Sequence, residues 1–99
     1  MTPASFEAIC RASRLKPYPK KFVKDHALYY AEGYRQADEN YPEPHYKVLW
    51  AVDAGEKMDV AQEIFIPAVS EINLRMDMAK DAALKFLDLS HEVRRFENN

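Results

Sequence analysis

The chain has little glycine and almost no cysteine: two glycines and one cysteine in 99 residues. Two glycines cannot build a glycine-rich phosphate loop, so the Walker and dinucleotide-binding fingerprints are excluded. A lone thiol, Cys10, closes no internal disulfide and no cysteine-rich metal site, and it suits a reducing compartment. Long apolar runs are missing as well. The longest, Ile64 to Val69, spans six residues where a membrane helix needs about 20. The first ten residues carry neither a basic region nor an apolar stretch of the kind that opens a secretory signal. The expectation is a cytoplasmic protein with no membrane partner. Neither sign of charge dominates either, since 14 Lys and Arg face 16 Asp and Glu for a net charge of −2. That balance argues against a generic polyanion binder.

What is present is apolar material for one core. Hydrophobic residues make up 47% of the chain and aromatic residues 12%, enough to offset the entropy of ordering a single domain over residues 1–99. Thr2 before Pro3 reads as a helix cap, and Phe6, Ile9 and Cys10 recur at helical spacing, which predicts a short helix over about 3–14. Pro17 and Pro19 end it. From Lys20, the residues Phe22, Val23, His26, Tyr29, Tyr30, Gly33, Tyr34 and Ala37 repeat at steps of three and four, predicting a helix over about 20–38 with Gly33 where another helix approaches closely. Two prolines and three acids make Asp38 to Pro44 a loop.

Residues His45 to Val52 fit two patterns. Tyr46, Val48, Trp50 and Val52 alternate as a strand would, while Tyr46, Leu49, Trp50 and Asp53 fit a helix ending at Gly55. A lone strand would leave its backbone groups unpaired, and no second strand is evident, so helix is the expectation. Asp59 with Gln62 looks like a capping box opening a last helix, kinked near Pro67 and running almost to the end. Along it Val69, Ile72, Met76, Ala79, Ala83, Phe86, Ser90 and Val93 keep step as core positions, and Leu74 and Met78 lie on another side. The predicted architecture is all-α: an antiparallel bundle of three or four helices with a long C-terminal helix. A homo-oligomer through that helix would cover its overhang.

Catalytic signatures are absent, and no cofactor or metal is expected. Asp88 with His91, Glu56 with Asp59, and Asp77 with Asp81 have spacings that metal-dependent hydrolases use. Each lacks a converging set beyond Glu32 and Asp38, so solvated helix charges are the simpler reading. His26 reads as a hydrogen-bonded core histidine and Cys10 as an inert hydrophobe.

Two clusters bear on binding. Arg11, Arg14, Lys16, Lys20, Lys21 and Lys24 fall in one acid-free stretch with Tyr18 and Phe22 between them, a pattern that can grip phosphates or an acidic protein surface. All six tyrosines and Trp50 fall between residues 18 and 50. Tyrosine and tryptophan suit binding surfaces because they bury much area at low entropic cost. The functional expectation is a small non-enzymatic interaction protein that inhibits or adapts another macromolecule by occluding its surface, of the accessory kind that phages and mobile elements encode. Tyr18, Tyr29, Tyr30, Tyr34 and Trp50 would anchor a protein partner and the basic stretch would steer. The alternatives are a nucleic-acid-associated protein using that stretch and a small metal-dependent hydrolase.

Overall fold

The computed structural model describes the backbone of residues 3–54 and 57–97 and the side chains of residues 4–53 and 64–88. The expected cap Thr2 and helix stop Gly55 lie outside the described residues, as do Glu56 and the side chains of Asp59, Ser90, His91 and Val93. Seven elements run in order along the chain: α1 (Pro3–Ala12), β1 (Lys16–Pro17), β2 (Lys21–Val23), β3 (His26–Arg35), β4 (His45–Ala54), β5 (Lys57–Pro67) and α2 (Ile72–Glu97). The strands form one antiparallel sheet. β3 pairs with β4 and β4 with β5, while β1 and β2 share the free side of β3.

The all-α bundle is therefore overturned by a sheet with a helix on each face. The stretch expected as a helix over 20–38 is β2 and β3, and 45–54 is β4. Asp59 and Gln62 do not cap a helix but sit inside β5, and Pro67 kinks nothing because it ends that strand. Only from Ile72 does the expected C-terminal helix begin, so Val69 lies outside it, 95% exposed.

The reason for the misreading is visible in the packing. Along β3 and β4 the even-numbered residues face α2, where Leu28, Tyr30, Val48, Trp50 and Val52 join Ile66, Ala79, Ala83 and Leu87 in the main core. The odd-numbered ones face α1, where Ala31, Leu49 and Ala51 meet Phe6, Cys10 and Leu15. A strand covered on both faces has no polar side and reads as a continuous apolar run, in which steps of three and four arise by default.

The turns carry few of the usual signals. α1 closes with Arg14 left-handed at φ 56 and with Leu15 N–H donating to the Cys10 carbonyl at 2.8 Å, a Schellman closure without glycine. Lys24 and Asp25, at φ 48 and 65, form the two-residue turn between β2 and β3, which normally recruits asparagine and glycine. The glycine that matters sits elsewhere. A side chain on Gly33 would come within 2.8 Å of the Arg14 carbonyl oxygen, so its missing side chain admits the α1–β1 connection rather than a helix.

α2 is locked onto the sheet by a buried ion pair. Arg75 grips Glu32 with two parallel bonds, Nε to Oε1 at 3.0 Å and Nη2 to Oε2 at 2.9 Å, and Tyr30 donates to the same carboxylate at 2.7 Å. Arg75 also donates to the Ser70 carbonyl and lies 3.8 Å over the Tyr46 ring. The hydrogen bonds to Glu32 raise the Arg75 pKa further, and burial raises that of Tyr30. Every polar group of the pair is satisfied, the condition under which a buried ion pair is tolerated.

Candidate functional site

The two ends of the sheet differ. On the β1–β2 side, Pro17 and Pro19 interrupt the edge, and Lys16, Lys20 and Lys21 stand exposed along it. Prolines and lysines on an edge strand discourage another chain from pairing there. On the other side β5 offers an edge of 11 residues, with which no strand pairs among the described residues. A bulge between β4 and β5 opposite Trp50 and Ala51 adds twist midway along it.

Where β5 ends, an aromatic corner stands on the outer face beyond the reach of α1. Tyr41 stacks on Phe65 with ring centroids 4.1 Å apart, and His45 meets both rings at 5.0 and 5.3 Å. The loop before β4 builds this corner. Asp38 accepts the backbone N–H groups of Asn40 and Tyr41 at 2.9 and 2.8 Å, and its own N–H donates to the Tyr41 carbonyl. That Asx turn sets Tyr41 over Phe65. Pro42 and Pro44 stiffen the approach to β4, and Ala68 N–H donates to the Pro44 carbonyl at 3.2 Å, tying the loop to the end of β5.

The corner borders an open cavity of about 240 Å³ lined by Tyr41, Pro42, Glu43, Pro44, His45, Phe65, Ile66 and Pro67. Sites for whole small molecules span roughly 300–1,000 Å³, so this one has the size for a side chain. His45 is 6% exposed, and its Nδ1 lies 2.9 Å from the Glu43 carbonyl oxygen. A carbonyl only accepts, so Nδ1 carries the hydrogen, and in the neutral ring Nε2 is left with its lone pair. Among the described residues Nε2 has no partner.

The residues singled out in the sequence are scattered. Tyr30 and Trp50 are core residues at 2% exposure and present nothing to a partner. Tyr29 is half-buried against Phe6, and Tyr18 is half-buried edge-on to Tyr30. Tyr34 is exposed, edge-on to Tyr46, on the face opposite the corner. The six basic residues all stand exposed, from the end of α1 along the β1–β2 edge to the turn, where Lys24 pairs with Asp88 at 2.6 Å. Lys16 and Lys20 lie over the rings of Tyr18 and Phe22.

Among the described residues the candidate carboxylates do not converge. Glu32 is consumed by Arg75, Asp38 by its turn, and Asp77 and Asp81 stand exposed on α2. Among the described residues no three His, Cys, Asp or Glu side chains gather as metal ligands, and no helix is long and apolar enough to cross a membrane. His26 bonds the Asp53 carbonyl at 2.8 Å, and burial pushes the Cys10 thiol up, with Glu7 adding to it. Sequence reasoning missed Tyr41, His45 and Phe65. The run Tyr-Pro-Glu-Pro-His was a signal for the first two, because its two prolines stiffen the backbone that joins the rings at its ends, whereas Phe65 needed strand parity.

No family model matches the chain, and neither a curated protein nor a solved structure matches it. The residues alone carry the functional argument.

Proposed function

We propose that the protein is a non-enzymatic interaction module that engages a protein partner at the corner of Tyr41, His45 and Phe65, with the edge of β5 beside it. The observation that carries this reading is the coincidence of two features at one place. A pre-ordered aromatic cavity of side-chain size adjoins an open strand edge, and β5 supplies Phe65, Ile66 and Pro67 to the cavity. Strand addition works this way: backbone hydrogen bonds along the edge give affinity, and a pocket for a projecting side chain gives selectivity. Occlusion of the bound segment is then the means of modulating the partner. The lysines of the opposite edge act as guards against pairing there.

The test is affinity capture from the native host with wild-type protein, Phe65→Lys and the double variant Lys20→Glu/Lys21→Glu. Phe65 is partly exposed, so its replacement leaves the core intact. A partner held by wild type and by the lysine variant but lost with Phe65→Lys is the expected result. Loss with the lysine variant and retention with Phe65→Lys would move the site to the basic edge and sink this reading.

A further inference from the structure

We infer that the corner holds an arginine side chain projecting from an extended segment of the partner. The inference rests on the functional reading above and adds the chemistry of the occupant. The walls supply flat aromatic surface from Tyr41 and Phe65, along which a planar guanidinium stacks and the methylene stem packs. The polar groups at the wall ask for donors. In the neutral ring His45 Nε2 is an acceptor, without a partner among the described residues, on a residue that is only 6% exposed. Unlike the enclosed Trp50 Nε1, that nitrogen is not sealed in the interior, and His45 is among the residues that line the cavity, with its ring against Tyr41 and Phe65. Glu43, an exposed acidic residue, belongs to the same lining.

The loop that forms the corner is acidic throughout. Asp38, Glu39 and Glu43 lie between Arg35 and Lys47 with no basic side chain among them. An acceptor, an acidic residue and two aromatic rings together suit a cation that is planar and rich in donors, which distinguishes arginine from a compact ammonium group. An acidic or purely apolar side chain would leave His45 Nε2 and Glu43 uncompensated.

The experiment is fluorescence anisotropy with short fluorescein-labelled peptides of serine, threonine and valine that differ only at the central residue: arginine, citrulline, leucine or glutamate. The arginine peptide should bind about tenfold more tightly than the leucine and citrulline peptides, and more tightly still than the glutamate one. Glu43→Gln should weaken the arginine peptide by about fivefold and leave the leucine peptide unchanged, while Tyr41→Ala should weaken both. Glu43 and Tyr41 are exposed, so neither variant threatens the fold.

Equal binding of the leucine or citrulline peptide, or indifference to Glu43→Gln, overturns the arginine assignment. If no peptide binds but capture still depends on Phe65, the arginine assignment falls and the interaction corner stands. If capture ignores Phe65, both fall. A dimer in light scattering that Phe65→Lys dissolves would give the corner to a second copy of the chain, and would also overturn the assignment.

Discussion

The two faces of the sheet are closed by opposite devices. On the α2 face a side-chain pair, Glu32 with Arg75, reaches across 43 residues of sequence to fix the helix in register. On the α1 face the decisive feature is an absent side chain, because Gly33 lets the Arg14 carbonyl sit against β3. The first device depends on charge and is costly to break. The second depends on space and is costly to fill. α1 is also much shorter than α2, with 10 residues against 26, and the strip it leaves bare is where Tyr41, His45 and Phe65 assemble.

The sharpest way to break this contrast is Arg75→Ala, which strands the Glu32 carboxylate in the core. Urea unfolding should show a loss of about 3–5 kcal/mol. Replacing both partners with methionine should recover much of it, since the penalty belongs to the uncompensated charge rather than to the missing bond. A double variant as unstable as Arg75→Ala would mean that the pair supplies attraction and not only registry.

Gly33→Ala probes the other face. The new carbon would meet backbone, which cannot swing aside, so a loss of about 1–3 kcal/mol is expected by the same measurement. A neutral result would show that the α1–β1 connection yields, and that this face is looser than its close contacts imply.

Alkaline titration returns to the ion-pair face. Burial and the bond to Glu32 push the Tyr30 phenol well above its ordinary 10.0. Above that value the unfolded chain gives up the proton while the folded chain keeps it, so the folded state holds more protons and loses stability as pH rises. The contribution is full below about pH 10 and declines beyond it, by at most about 1.4 kcal/mol per pH unit. Tyr30→Phe should flatten that decline in denaturation midpoints measured between pH 9 and 11, and an unchanged slope would remove Tyr30 as its source. The smallest effect belongs to the exposed pair. Lys24→Ala breaks the contact with Asp88, yet both side chains are more than half exposed, so the change should stay under about 1 kcal/mol.

Where local chemistry decides an element, the sequence is readable. The first helix, expected over 3–14, occupies Pro3–Ala12, because Pro3 and the Pro17–Pro19 stretch bound it. Asp38 to Pro44 is the loop its prolines announce. From Ile72 the stripe of Ala79 and Ala83 faces the core as its spacing requires. The sheet is hidden because its signals depend on context. β3 and β4 are covered on both faces, the turn at Lys24 and Asp25 carries no glycine, and Asp59 with Gln62 imitates a capping box inside a strand. Neighbouring strands supply the pairing that His45 to Ala54 needs, and without seeing them a helix is the cheaper solution for its backbone. The binding corner is hidden for the same reason. Phe65 and Tyr41 are 24 residues apart and meet only because β5 runs back beside β4.

The enclosed Trp50 has a practical consequence. It is the chain's single tryptophan, and it sits between Tyr30 across the strand pair and Phe86 of α2, 6.2 Å away and nearly perpendicular. Its indole N–H finds no acceptor among the described residues, and apolar side chains pack around the ring. Emission from this one ring should therefore lie to the blue, and shift to the red when α2 lifts away from the sheet. A ligand seated at Phe65 should leave that colour unchanged, giving an optical readout that separates docking at the surface from opening of the interior.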